Sequence, residues 1–342
     1  MKRKKFIQSA VSVFSAAAMP HVSLLPAVSS EIKLYSSPPF LKKNDIIGIT
    51  SPAGYISVEE IQPAVKKIGS WGFKIRIGDT IGKRDFTFGG TDEERVKDFQ
   101  QMLDDPEIKA IMCARGGYGA VRIIDHLNWD KFNNQPKWII GFSDITVFHS
   151  HLTQNFKIAS LHSKMCNSFP EDWSKAEPIQ VETIESIRLA LSGEKMKYSS
   201  LPNNLNKPGI GEGVLTGGNL KMLETLAGTK SDINTEGKIL FVEDTGEYLY
   251  NIDRMFWNLK RSGKLDRLAG LIVGGFRIKP SDDPSEEFGK NFFEIVLEKV
   301  KNYSYPVCFD FPVGHQRNNF ALKCAVGHRL IVTGDEVNLK EV

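Results

Sequence analysis

A chain of 342 residues, 41% hydrophobic and 25% charged, has an ordinary globular composition and enough length to bury the cores of two domains. A formal net charge of +3 excludes a strongly basic nucleic-acid binder, so no nucleic-acid partner is expected. The four cysteines, Cys113, Cys166, Cys308 and Cys324, form no CxxC pair and no zinc-spaced set with histidine, so we expect no metal, no cofactor and no disulfide framework.

The opening residues, MKRKKFIQSAVSVFSAAAMPHVSLLPAVSS, read as a signal peptide over 1–30: a basic cluster, an apolar stretch broken by small residues, and Ala/Ser-rich cleavage candidates. Arg3-Lys4-Lys5-Phe6-Ile7 resembles a twin-arginine export signal with lysine in place of the second arginine. No later apolar run approaches the ~20 residues that span a bilayer. The expectation is an exported, periplasmic protein with no stable membrane span after signal removal, a cytoplasmic protein being the alternative.

Beyond the signal, DIIGITSPAG reads as a strand entering a Ser-Pro-Ala-Gly turn, EEIQPAVKKIGSWGF as a helix with a glycine stop, and KIRIGD as a second strand. TDEERVKDFQQMLDDP opens on a threonine cap and ends at proline. IKAIMCARGG returns as a buried strand, YGAVRIIDHL as a helix and KWIIGF as a strand. This alternation predicts an α/β domain over 41–166, a parallel sheet covered by helices in a flavodoxin- or amidotransferase-like manner. Residues 167–207, polar around PIQVETIESIRLALSG, read as an inter-domain linker. Residues 208–342 mix strands, helices and glycine turns, and their last part alternates with period two, which predicts a smaller, β-rich α+β domain.

Within WIIGFSDIT, Ser143 ends a buried strand in the layout that lifts a hydroxyl out of a sheet, although Ile145 stands where a Gly-x-Ser-x-Gly elbow has its second glycine. A helix cap is the alternative use of this serine. A nucleophilic hydroxyl needs a base and donors for the oxyanion it creates. Donors are available in ARGGYGAV, whose glycines let backbone N–H groups crowd an oxygen and whose Arg115 can hold a carboxylate; a plain packing turn is the alternative. His315, in the turn-rich FPVGHQRNN, is the candidate base. His149 and His151 lack a third metal ligand and read as helix-surface and packing residues, His162 as a possible cleft residue and His328 as part of a hairpin turn. Glu243 and Asp244 end the apolar strand of KILFVED, where an acid can orient a histidine or cap the next helix. Ser143, Glu243 and His315 follow the chain order serine, acid, histidine.

Taken together, TSPAG, ARGGYG, IIGFSDIT, GGNL, LFVED and FPVGH resemble the LD-carboxypeptidase and microcin-immunity family of serine peptidases, over about Leu41 to the C-terminus. The resemblance implies a catalytic triad of Ser143, Glu243 and His315 at the junction of the two domains. It implies an oxyanion hole from the backbone N–H groups of Gly117 and Asp144, and a homodimer. The implied substrates are peptidoglycan stem peptides or muropeptides, from which a terminal D-alanine is removed after the L-centre of a diamino acid. Arg115 is then a candidate for the terminal carboxylate, set against a structural salt bridge. Where the family often has a His-Gly-Pro-Met-like segment, this chain has LHSKM, which brings Ser163 and Lys164 to the site and makes Lys164 a second substrate-binding candidate. Two other readings are carried: hydrolysis of a peptide-nucleotide amide, with Trp173 available to stack on a base, and a catalytically silent muropeptide-binding protein.

Overall fold

The computed structural model describes residues 34–283, 285 and 287–342; the expected signal peptide lies outside the described residues. In chain order the strands are β1 (Ile46–Thr50), β2 (Lys74–Ile77), β3 (Ile108–Cys113), β4 (Trp138–Gly141), β5 (Ser160–His162), β6 (Lys197–Ser200), β7 (Gly209–Asn219), β8 (Ile239–Glu247), β9 (Gly270–Ile278), β10 (Val307–Cys308), β11 (Leu322–Cys324), β12 (Gly327–Val332) and β13 (Val337–Glu341). The helices are α1 (Gln62–Ser70), α2 (Asp92–Asp104), α3 (Ala120–Ile123), α4 (Asp130–Asn134), α5 (Thr146–His151), α6 (Pro178–Leu191), α7 (Leu220–Thr225), α8 (Leu249–Arg261) and α9 (Phe292–Val300).

The first sheet has the order β11-β5-β4-β3-β1-β2, and β1 to β5 run parallel. Near-continuous apolar strands such as IKAIMC and WIIG need cover on both faces. Alternate residues supply it: Ile47, Ile49, Met112 and Ile140 enter one core, whereas Ile108, Ile111, Cys113 and Ile139 enter another. The α/β reading of this half is thus realised. α2 begins where the threonine cap predicts, with Thr91 Oγ1 accepting the Glu94 N–H and the Glu94 carboxylate accepting the Thr91 N–H. The helix expected over YGAVRIIDHL is shorter than the pattern suggests. Only Ala120–Ile123 is α-helical, followed by a tight turn at Ile124–His126, because Leu127 turns to extended backbone and buries its side chain.

The second sheet has the order β10-β9-β8-β7-β12-β13-β6. β7 to β10 are parallel, and β12, β13 and β6 complete the sheet in antiparallel pairs. The expected antiparallel end of the chain is present in β12 and β13, but β11 leaves it. Leu322–Cys324 crosses to the first sheet and pairs antiparallel with β5, both flanking side chains buried. Residues 167–207 contain α6, whose Ile184, Ile187 and Leu191 enter the shared core, and β6, which forms the edge of the second sheet. Leu34–Val342 pack as one compact unit, with a single apolar cluster that includes Ile49 and Ile140 from one sheet and Leu215, Phe241 and Ile272 from the other.

The end of β7 packs against the start of α5. Gly218 has φ +138°, and a Cβ there would stand 2.3 Å from Thr146 Oγ1, at the start of α5. That same oxygen accepts the Asn219 N–H at 2.9 Å, so β7 is tied to the helix that follows Ser143. Gly218→Ala is expected to destabilise the fold by at least ~2 kcal/mol in urea titration, since both the backbone angle and the contact exclude a methyl; an unchanged midpoint would refute this account of the seam.

Candidate active site

Four of the parallel strands of the first sheet deliver a turn to one place from their C-terminal ends, the position where open α/β sheets bind ligands. After β1 comes TSPAG, after β3 ARGGYG, after β4 Phe142-Ser143-Asp144, and after β5 Ser163-Lys164. The two glycine-bearing turns are locked together: Gly54 N–H donates to Gly116 O at 2.9 Å, and buried Arg95 donates from Nη1 to Pro52 O at 2.7 Å and to Gly119 O at 3.0 Å. A Cβ on Gly116 would lie 3.4 Å from Ser143 Cβ, so ARGGYG abuts the serine. Gly117 follows at φ +99°.

Ser143 itself has φ +62°, a left-handed conformation that costs a non-glycine residue on the order of 1–2 kcal/mol. Its hydroxyl caps neither the short turn it opens nor α5. The helix-cap alternative is therefore not realised. The missing second glycine is also explained. Ile145 is fully buried and folds over Gly141, where a Cβ would stand 2.9 Å from Ile145 Cγ1, so the glycine that makes room precedes the serine by two residues.

Asp144 turns away from Ser143. Its Oδ2 accepts the Ala120 N–H at 2.8 Å, which ties the serine turn to the helix after ARGGYG. Burial pushes its carboxyl up to about 6, against the lowering effect of the Ala120 hydrogen bond and the Arg95 charge.

The second sheet contributes Glu243 and His315. Glu243 lies within β8, opposite Asn219 of β7, and has no solvent exposure. Its Oε2 is in direct contact with His315 Nδ1. The approach requires Gly314: φ is +96°, and a Cβ would stand 2.3 Å from Glu243 Cβ. The Gly314 N–H donates to buried Asn319 Oδ1 at 2.8 Å, and Gly275 N–H donates to Val313 O at 2.8 Å, which extends the sheet as far as the histidine. Phe142 brings the halves together, its ring centroid 5.0 Å from that of His315. No hydrogen bond joins Ser143 Oγ to His315 among the described residues; such contacts commonly tighten only when substrate is bound.

Asp244 serves a different purpose from its neighbour. It accepts from Asn219 Nδ2 and from the Lys221 N–H, each at 2.9 Å, and so holds β7 to β8. Burial raises its carboxyl to about 6.

The remaining candidates divide. Lys164 reaches the site: its Nζ donates to Gln316 O at 2.7 Å and lies 5.6 Å from the Phe142 ring centroid. Arg115 is exposed and donates to Tyr55 O at 3.0 Å; it makes no ion pair among the described residues, so the alternative of a structural salt bridge is not realised. His149 and His151 are packing residues of the interior, as expected in part, and neither lies on the helix surface. His149 is bonded to Ser160 Oγ and Gly141 O, His151 to Ser231 Oγ, and burial lowers both rings to about 4. His162 is wholly buried between Phe142 and Phe241, and His328 is the second residue of β12 and not part of a turn. All four cysteines are free and buried, and no cluster of three or more His, Cys, Asp or Glu among the described residues could hold a metal ion. Arg277, whose Nε donates to His315 O at 2.9 Å, stands in no sequence pattern that marks a site, whereas Gly116 belongs to the ARGGYG turn already marked as a source of oxyanion donors. A wider groove of about 730 Å³ along α2 contains none of these residues.

A buried acid on a histidine beside a strained serine has the parts of a serine hydrolase. Models of the LD-carboxypeptidase N-terminal domain and of the LD-carboxypeptidase C-terminal domain match residues 47–163 and 212–330. The chain belongs to the LD-carboxypeptidase family. It is a serine-type carboxypeptidase with the mixed α/β fold of that family. The "Probable murein peptide carboxypeptidase" of Bacillus subtilis is 32% identical over 81% of this chain and 86% of its own length. The "Microcin C7 self-immunity protein MccF" of Escherichia coli is 26% identical over 87% of this chain and 93% of its own. The crystal structure of muramoyltetrapeptide carboxypeptidase from Oxalobacter formigenes superposes with a TM-score of 0.76 at 28% identity, covering 86% of this chain and 98% of that one. No helix among the described residues is long and apolar enough to cross a membrane.

The raised carboxyl of Asp144 has a thermodynamic consequence. An acid whose folded pKa lies near 6, above its unfolded value near 4, stabilises the fold below pH ~4 and loses that contribution as pH rises through about 6. The melting-temperature difference between wild type and Asp144→Asn should therefore shift against wild type from pH 4 to pH 7. Asp244 titrates in both proteins and cancels. A difference that is constant, or moves in wild type's favour, contradicts the assignment.

Proposed function

We propose that this carboxypeptidase hydrolyses the LD amide bond before the C-terminal D-alanine of peptidoglycan tetrapeptide stems, with Ser143, Glu243 and His315 as a catalytic triad. The observation that carries the reading is the contact between the buried Glu243 carboxylate and His315 Nδ1, at the flank of Phe142-Ser143. The names of the Bacillus subtilis and Oxalobacter formigenes relatives support the substrate class.

In this mechanism the Ser143 Oγ–H proton passes to His315 Nε2 as Oγ attacks the amide carbonyl. Glu243 holds the imidazole by Nδ1 and stabilises its charged form. The oxyanion is met by the main-chain N–H groups of Gly117 and Asp144; one such donor is worth about 3–4 kcal/mol of barrier. Collapse breaks the C–N bond, His315 protonates the departing amine, and D-alanine leaves. Water, deprotonated by the same histidine, then hydrolyses the ester and restores Ser143.

The similarity to a microcin self-immunity protein keeps the second reading in view, hydrolysis of a peptide-nucleotide amide. Trp173 gives it little support. Its ring packs on the core and carries Lys67 Nζ 4.3 Å from its centroid, so it is already engaged. A silent binding protein would have little use for a wholly buried acid set against a histidine.

Purified protein is to be assayed for D-alanine release from a tetrapeptide stem and for cleavage of an aminoacyl-nucleotide amide. Wild type is expected to release D-alanine, and Ser143→Ala to lose at least ~10⁴-fold in kcat. Full activity in Ser143→Ala would remove the nucleophile assignment; nucleotide release alone would favour the second substrate; binding of the stem without turnover would favour the silent reading.

A further inference from the structure

Alongside the His315 turn lies a cavity of about 340 Å³, lined in part by Lys164, Asn167, Ser168, Arg277, Gln316 and Arg317. Three of these residues are cations. Arg317 is neutralised by an ion pair with Glu177. Lys164 and Arg277 differ: Lys164 Nζ donates to Gln316 O at 2.7 Å, Arg277 Nε donates to His315 O at 2.9 Å, and neither has a carboxylate within ion-pair reach among the described residues. Two cations that share a cavity wall and have no carboxylate partner leave positive charge unpaired. Burial, and secondarily the Arg277 charge, press the Lys164 amine down to about 8, against the opposing influence of Glu243. An anion in the cavity would relieve both effects.

The geometry of acyl transfer says which anion belongs there. The imidazole that takes the serine proton returns it to the departing amine, so the leaving residue occupies the histidine's side of the serine. In an α-amino acid the carboxylate lies within about 4 Å of that amine, because a single carbon separates them. Sheet order sets the two flanks of the serine. β4, which delivers Ser143, lies between β3, which delivers Arg115 and the ARGGYG turn, and β5, which delivers Lys164. Arg277 and Lys164 grip the carbonyls of His315 and Gln316 respectively, whereas Arg115 bonds to Tyr55 O beside the glycine turns.

We propose that Lys164 and Arg277 together bind the α-carboxylate of the leaving C-terminal residue and thereby restrict cleavage to the chain end, while Arg115 does not share this role. The inference rests on the peptidase reading above and adds the specificity determinant. It also accounts for the lysine of LHSKM as a binding group, with its ammonium at the cavity wall, 5.6 Å from the Phe142 ring centroid.

The test compares kcat/KM for a tetrapeptide stem with a free C-terminal carboxylate against the same stem ending in an amide. It is run for wild type, Lys164→Met, Arg277→Gln and Arg115→Gln. Wild type is expected to prefer the acid, and Lys164→Met and Arg277→Gln each to lower that preference roughly tenfold or more, the scale of one charge-assisted contact. Arg115→Gln should keep the preference. The ratio separates recognition from a distorted histidine turn, which would slow both substrates alike. Any variant inactive on both is read in the Ser143→Ala background by calorimetric affinities for acid and amide, under the same criterion. If Lys164→Met fails to fold, Arg277→Gln, at an exposed position, decides. An unchanged acid preference in the Lys164 and Arg277 variants, or its loss in Arg115→Gln alone, overturns the proposal. A wild type inactive on both stems instead overturns the peptidase reading.

Discussion

Glu243 sits at full burial in β8 with Oε2 against His315 Nδ1, and the surrounding architecture can be understood as the means of making that contact tolerable. A carboxylate removed from water costs several kcal/mol unless a partner is held firmly against it. The partner comes from a loop 72 residues further along the chain, and several constraints converge to keep it there. Gly314 lets the backbone lie on the Glu243 side chain, Asn319 takes the Gly314 N–H, Val313 pairs with Gly275, and Arg277 and Lys164 hold the carbonyls of His315 and Gln316. The imidazole therefore has little freedom to rotate, and preorganisation of this kind is what a general base requires.

The serine half is built by a different logic. Ser143 is held in a left-handed turn between β4 and α5, and the strain is sustained because neighbouring turns over-determine the conformation. Asp144 is bonded to Ala120, Arg95 clamps Pro52 and Gly119, and Thr146 Oγ1 receives the Asn219 N–H from the second sheet. That last bond carries more than stability. It fixes the spacing between the sheet that presents the serine and the sheet that presents the acid, so a fault at Gly218 is a fault in the alignment of the site.

Much of this organisation is legible in the chain. The strand-helix alternation, the Thr91 cap and the turns after β1, β3 and β4 follow local rules, because propensity, hydrophobic period and capping act over a few residues. Ser143, Glu243 and His315 could be selected as candidates because each ends or follows an apolar run with chemistry-bearing residues. Other features depend on distant partners and leave no local mark. β11 is three residues long, too short for a period, and nothing in LKC says that it will pair with β5. His149 and His151 carry the polar signature of a surface, yet Ser160, Gly141 and Ser231 satisfy them inside the core. Arg277 is an unremarkable strand-end arginine until the fold brings His315 to it.

The central claim is that His315, oriented by Glu243, activates Ser143 at the junction of the two sheets. Mass spectrometry after reaction with a fluorophosphonate reads this directly, since such a probe phosphonylates an activated serine and leaves an idle hydroxyl unmodified. The account predicts a single adduct on the peptide containing Ser143, abolished in His315→Ala and strongly slowed in Glu243→Gln. An adduct on another serine, or labelling of Ser143 that is indifferent to loss of His315, would contradict it.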